Sequence, residues 1–134
     1  MANYALTAGD IMQKEVETIL GDLSVQEAVT QMHLAGIRSL LVVPREEAEP
    51  YGIISYSDVV YDVLASQKDP RRVTVDEIST TPAIAVRPTD TIQHVSAVLR
   101  KHRIGHVPVV DEQERLIGII SMTDLVTEVI VAVR

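Results

Sequence analysis

Residues 52–60 read GIISYSDVV, and residues 118–126 read GIISMTDLV. Each stretch runs from a Gly through paired isoleucines to a Ser, and from that Ser three positions on to an Asp. A β-branched run suits a strand. A Ser followed three residues later by an acid suits the first turn of a helix, where a hydroxyl and a carboxylate satisfy free backbone amides. The stretch therefore reads as a strand that runs directly into a helix. Its occurrence twice makes the chain a repeat.

The repeat extends outward from this junction. Residues 11–43 align with 78–110 at an offset of 67, and residues 52–64 align with 118–130 at an offset of 66. The one-residue difference falls in the loop after Val43 or Val110. Ahead of the junction lies a short Val-rich strand, Ser39–Val43 or His106–Val110, then a charged loop, then the returning strand, Tyr51–Ser55 or Leu116–Ser121. Farther upstream, Ser24 and Glu27 form a capping box before Val25, Ala28, Val29 and Met32 at helical spacing. In the second repeat, Asp90 or Thr91 caps a helix carrying Ile92, Val95, Val98 and Leu99. Val16–Ile19 and Ala83–Val86 are each expected to add a strand before that helix.

The expected fold class is α/β, α+β-like in detail: two pseudo-symmetric β-α-β-β-α units packed sheet to sheet. The expected division is 1–67, the first unit with an N-terminal lead, and 68–134, a linker and the second unit. Ser66–Arg72, polar and containing Pro70, reads as the linker. About 60 residues bury little surface alone, which favours two such units together. The closing helices carry more apolar residues than one small sheet needs: Val59, Val60, Val63 and Leu64, then Leu125, Val126, Val129, Ile130 and Val133. That surplus predicts a homodimer interface.

Composition narrows the function. The chain has 134 residues, 46% hydrophobic against 23% charged, with no Cys, Phe or Trp. A formal net charge of −7 argues against a DNA-binding surface, which needs a basic patch. The net negative charge lies early: residues 1–67 hold ten acids and three bases, and residues 68–134 hold nine of each. Without Cys there is no disulfide, thiolate nucleophile or cysteine metal site. No apolar run approaches membrane-spanning length and the N-terminus lacks signal-peptide character, so a soluble cytoplasmic protein is expected. H-E-x-x-H, G-x-G-x-x-G and phosphate-loop motifs are absent, so neither an enzyme nor a metal site is expected.

The motifs together resemble a tandem pair of cystathionine-beta-synthase (CBS) domains, a Bateman module. The resemblance rests on Asp10–Met12, the capped helix, the His106–Asp111 stretch HVPVVD, and the two Gly-hydrophobic-x-Ser-x-x-Asp closures. It covers roughly residues 8–133. It implies a stand-alone sensor, with no obligatory cofactor. Its regulatory ligand would be an adenosine compound (AMP foremost, with ADP, ATP or S-adenosylmethionine as others), and its state would pass to a regulated partner protein.

The resemblance also assigns residues. The ribose-binding Asp falls on Asp58 and Asp124, and the motif Ser on Ser55 and Ser121, with Ser57 and Thr123 beside them. Asp124 ranks ahead of Asp58 because the second half is less acidic. Arg38 and His106 are the candidates for phosphate contact, each keeping half of the family's His-Arg pair. Pro82 and Ile84, within a segment that lines the adenine pocket in the family, are candidate walls, as are Tyr56 and Met122. The residues themselves leave a second reading open. Ser55, Asp58, Ser121 and Asp124 also serve as helix caps, and the chain would then be a structural, homodimeric interaction module with vestigial nucleotide sites.

Overall fold

The structure, a computed structural model, describes residues 2–132. They form two compact units. One holds residues 17–83, and the other joins the segment up to Val16 to the chain from Ile84 onward.

In the first of these units, β1 (Thr18–Leu20) runs parallel to β2 (Ser39–Val43), which pairs antiparallel with β3 (Gly52–Ser55). Between β1 and β2 lies helix α2 (Val25–Ala35). Its start is closed as its sequence predicts: Ser24 Oγ accepts from Glu27 N at 3.1 Å, and the Glu27 carboxylate accepts from Ser24 N at 3.1 Å. The linker and the residue after it supply what the box does not. Val25 N donates to the Val73 carbonyl at 2.8 Å and Gln26 N to the Pro70 carbonyl at 2.9 Å. The first amides of α2, which no helical turn can satisfy, are thus all bonded. Val25, Ala28 and Met32 face the core, with Leu40, Val42 and Ile54 from the sheet.

The other unit repeats this plan. Helix α5 (Ile92–His102) precedes β4 (His106–Val110) and the antiparallel β5 (Leu116–Ser121). Thr91, not Asp90, is the cap, accepting from His94 N at 3.1 Å. Ile92, Val95 and Leu99 are buried with Val107, Val109 and Ile120. The strand expected at Ala83–Val86 is reduced to one parallel bridge, Val86 with Val109. Its counterpart, β1, begins two residues later than Val16–Ile19 and ends one later. Pro108 stands where β2 has Leu41, whose amide donates to the Glu17 carbonyl at 3.1 Å, so β4 lacks that ladder donor.

Each unit is closed by chain from the other sequence repeat. Short helices α1 (Ala8–Ile11) and α4 (Val75–Ile78) each lead into an extended residue. Thr80 pairs antiparallel with Ile53, and Gln13, its equivalent, pairs antiparallel with Ile119. The bonds are reciprocal: Ile53 N to Thr80 O at 3.0 Å and Thr80 N to Ile53 O at 2.9 Å, then Gln13 N to Ile119 O at 2.9 Å and Ile119 N to Gln13 O at 3.0 Å. These bonds occupy backbone groups of β3 and β5 that would otherwise lie on a sheet edge. They also explain Gly52 and Gly118. A Cβ there would lie 2.4 Å from Thr81 Oγ1 or 2.6 Å from Met12 Sδ.

Both closing helices begin as α-helix, α3 (Tyr56–Val59) and α6 (Met122–Val126), and finish in a π-helical turn, Val60–Leu64 and Thr127–Val131. Their apolar residues divide between two faces. Val59, Val63, Leu125 and Val129 are buried, whereas Val60, Leu64, Val126 and Ile130 are 47%, 60%, 56% and 55% exposed. The surplus predicted from the sequence is therefore an outward apolar face on each helix. Val133 lies outside the described residues. Among the described residues, no helix is long and apolar enough to cross a membrane.

Candidate functional site

The candidate residues converge on the two strand-to-helix junctions. Strand pairing sets the geometry first. Ser55 lies opposite Ser39 in the β2–β3 ladder, and Ser121 lies opposite His106 in the β4–β5 ladder. Residues directly opposite in an antiparallel pair share a face. His106 is thereby brought beside Ser121, while Arg38 stands one residue ahead of the equivalent pair, with its side chain exposed.

The junction helices are capped from within. Asp58 Oδ2 accepts from Ser55 N at 2.8 Å and from Ser55 Oγ at 3.1 Å, while Ser55 Oγ accepts from Asp58 N at 3.4 Å. In the other unit, Asp124 Oδ2 accepts from Ser121 N at 2.9 Å, and Ser121 Oγ accepts from Asp124 N at 3.1 Å. The first helical amide is bonded too: Tyr56 N donates to the Arg38 carbonyl at 3.1 Å and Met122 N to the Gly105 carbonyl at 2.9 Å. What each first turn still presents is the exposed residue between, Ser57 or Thr123, with its amide and its hydroxyl. The positive helix end is thus narrowed to one donor residue per junction.

The carboxylates differ in their surroundings. Burial pushes the Asp58 carboxyl above the ordinary carboxylate range. The backbone and hydroxyl of Ser55 oppose this by hydrogen bonding, and the negative Asp62 adds to it. Asp124 has a further partner that the sequence reading missed: Gln13 Nε2 donates to Asp124 Oδ1 at 3.3 Å. No local pattern pointed to it, because the bond spans 111 positions. Gln13 and Thr80 are equivalent, so whichever strand one joins, the other joins its counterpart.

The remaining candidates separate. Pro82 belongs to the unit of Asp58, in a segment held along β3 by Thr80 and by Ala83 N, which donates to the Tyr51 carbonyl at 2.8 Å. The Thr81–Pro82 peptide is cis, and Pro82 is exposed. Ile84 is half-buried and belongs to the unit of Asp124. Tyr56 packs on the core of its unit, while Met122 is 58% exposed. Arg38, Ser55, Ser57, Asp58 and Pro82 therefore share one unit. His106, Ser121, Thr123, Asp124 and Ile84 share the other, with Gln13. Among the described residues, no three His, Asp or Glu side chains are grouped to hold a metal ion.

Comparison with known proteins agrees with this architecture. The sequence profile of the CBS domain matches residues 8–65 and 75–131. A hexameric CBS-CP12 protein from bloom-forming cyanobacteria is 37% identical, with a TM-score of 0.87 over 92% of this chain and 68% of that one. The CBS domain pair of protein MJ0100, in complex with 5′-methylthioadenosine and S-adenosyl-L-methionine, is 30% identical. Its TM-score is 0.76, over 89% of this chain and 91% of that one. Among curated proteins, MK0525 of Methanopyrus kandleri is 29% identical over 90% of this chain. The chain spans 61%, 23% and 22% of the lengths of the first three curated relatives it matches. Both strand-to-helix junctions fall within the matched segments, and the chain belongs to the CBS-domain family.

Proposed function

We propose that this chain is a regulatory module that holds an adenosine-containing ligand at its Ser-x-x-Asp junctions and relays the ligand's presence to a partner protein. The observation that carries the reading is the recurrence of one junction in both units, each with a carboxylate, a hydroxyl and a free first-turn residue. A carboxylate accepts both hydroxyls of a ribose in charge-assisted bonds. Asp58 and Asp124 take that role. Ser55, Ser57, Ser121 and Thr123 support it with hydroxyls, and the amides of Ser57 and Thr123 face a phosphate or ribose oxygen. Arg38 and His106 approach the ligand's anionic end, and Pro82 and Ile84 wall the adenine. AMP is the favoured ligand, because one basic side chain per junction, Arg38 or His106, suits a single phosphate better than three. ATP, ADP and S-adenosylmethionine are the alternatives, the last favoured by its presence in the MJ0100 pair. The outward apolar faces of the closing helices are assigned to a homodimer interface, and the protein to the cytoplasm.

A second reading is favoured by a different observation. Both capping boxes are complete from the chain's own atoms. On that reading the junctions are structural, and the chain is a homodimeric interaction module with vestigial nucleotide sites. Isothermal titration of AMP, ATP and S-adenosylmethionine separates the two. Saturable heat with one of them, lost in the Asp58→Asn/Asp124→Asn double variant, supports the sensor. Flat traces from a protein that melts cooperatively overturn it in favour of the interaction module.

A further inference from the structure

The two junction carboxylates are built alike but left differently. In both, Oδ2 closes the capping box. At Asp124, Oδ1 accepts from Gln13 Nε2 at 3.3 Å. At Asp58, Oδ1 takes no hydrogen bond among the described residues. The difference follows from one position of the repeat. Gln13 and Thr80 lie at the same register beside β5 and β3. Gln13 carries a long side chain ending in a primary amide, and Thr80 a short hydroxyl.

We propose that Gln13 is a specificity-determining residue that occupies the ribose acceptor of its own unit, so that a vicinal diol binds first at Asp58 and reaches Asp124 only when Gln13 withdraws. The inference rests on the reading of these carboxylates as ribose acceptors. The Gln13 amide donates to Oδ1, the oxygen the capping box leaves for a diol, so amide and diol compete for that acceptor. A ligand arriving at Asp124 must displace a bond that is already made. A ligand arriving at Asp58 meets an oxygen with none. Binding at Asp124 is therefore weakened in inverse proportion to the fraction of molecules in which Gln13 has withdrawn. This order is the reverse of the one expected from net charge, which placed Asp124 first. It makes the module graded: one site fills at low ligand concentration, and the second at higher concentration.

Adenosine is the probe, because it carries the diol without a phosphate; 2′-deoxyadenosine is its control. Titration calorimetry on the wild-type chain is expected to show a tighter site that Asp58→Asn abolishes and Asp124→Asn spares. Gln13→Ala is expected to tighten the weaker site by about tenfold, the scale of one displaced charge-assisted bond. That gain should vanish in Gln13→Ala/Asp124→Asn. Gln13 is exposed and its strand bonds are backbone bonds, so the variant keeps its fold. A readout without ligand accompanies these: the Gln13 side-chain amide resonances should move in Asp124→Asn and stay in Asp58→Asn. A tighter site lost in Asp124→Asn, an unchanged weaker site in Gln13→Ala, or unmoved amide resonances overturns this inference and leaves the sensor reading standing. Absence of adenosine binding in every variant, at concentrations where the fold is intact, overturns this inference; flat traces with AMP, ATP and S-adenosylmethionine as well overturn both.

Discussion

Arg103 holds the same left-handed helix end that Gly36 holds 67 positions earlier. Their backbone angles are φ 53°, ψ 47° and φ 68°, ψ 31°. Each closes its helix in the same way, with its amide turned back to carbonyls of the last turn. Glycine adopts this region without steric cost, whereas an L side chain does not. Nothing lies within 4 Å of a Cβ built on Gly36, so a substitution there meets only the backbone preference. Gly36→Ala is expected to destabilise the protein by about 1 kcal/mol, and Arg103→Gly to stabilise it by somewhat less, because glycine also gains freedom in the unfolded chain. Urea melts of the two variants check both signs. Stabilisation by Gly36→Ala, or destabilisation by Arg103→Gly, would contradict the equivalence of the two caps.

Asp58 gives the protein a pH dependence opposite to that of a salt-bridged acid. Its folded carboxyl is pushed up by burial, so the folded state holds a proton that the unfolded chain releases near its ordinary value of 3.8. Below that value both states are protonated and no difference arises. As pH rises toward and through the folded value, the contribution becomes unfavourable and stays so. Asn at this position keeps an oxygen for Ser55 N without the charge. Asp58→Asn should therefore lose ground to wild type at about pH 3.5 and recover it by about pH 7. Thermal melts of both proteins across this range measure the crossing, and a gap constant with pH would remove burial as the governing cause.

The parts of the fold that were legible in the sequence were those encoded within one repeat. Ser24 and Glu27 state a helix start by themselves, and the Ser-x-x-Asp junctions do the same. The alternation of buried Val59 and Val63 with exposed Val60 and Leu64 could be anticipated as an apolar surplus, because helical spacing alone implies two faces. What was not legible depended on chain far away in sequence. Ile11 packs with Val107, Val109 and Ile120, and Ile78 with Leu40 and Ile54. No local pattern says that Ile11 and Ile78 exchange units. The Gln13–Asp124 bond was hidden for the same reason: it spans 111 positions. The strand expected at Ala83–Val86 failed on its partner's chemistry, since Pro108, standing where β2 has Leu41, removes the facing ladder donor from β4.

The exchange of leading segments has a direct consequence for local stability. Ile11 is 3% exposed and Ile78 is 8% exposed, each in the core of the unit whose strands come from the other repeat. Truncating either to Ala is expected to cost about 2–4 kcal/mol. The location of the loss is the sharper test. Ile11→Ala should speed hydrogen exchange in β4 and β5 while β2 and β3 stay protected, and Ile78→Ala should do the reverse. Each variant acts on the repeat to which it does not belong in sequence. Loss of protection in the residue's own repeat would contradict the observed partition.

The outward faces of the closing helices set the last expectation. Val60, Tyr61 and Leu64 on one helix, and Met122, Val126, Ile130 and Val131 on the other, are all between 47% and 70% exposed. Scattered apolar residues need no explanation on a protein surface, but runs of them on one helix face mark an interaction surface. A charge placed within such a face is desolvated on association and unpaired, which opposes binding strongly. On its own exposed helix the same charge meets water and costs little. Val60→Glu/Val126→Glu should therefore lower the mass measured by light scattering from dimer to monomer while each chain still melts cooperatively. Burial of these faces by a second copy also predicts that the melting temperature of wild type rises with protein concentration and that of the variant does not. A wild type that is monomeric at every concentration would remove the homodimer from the proposed function and leave the faces to a different protein partner.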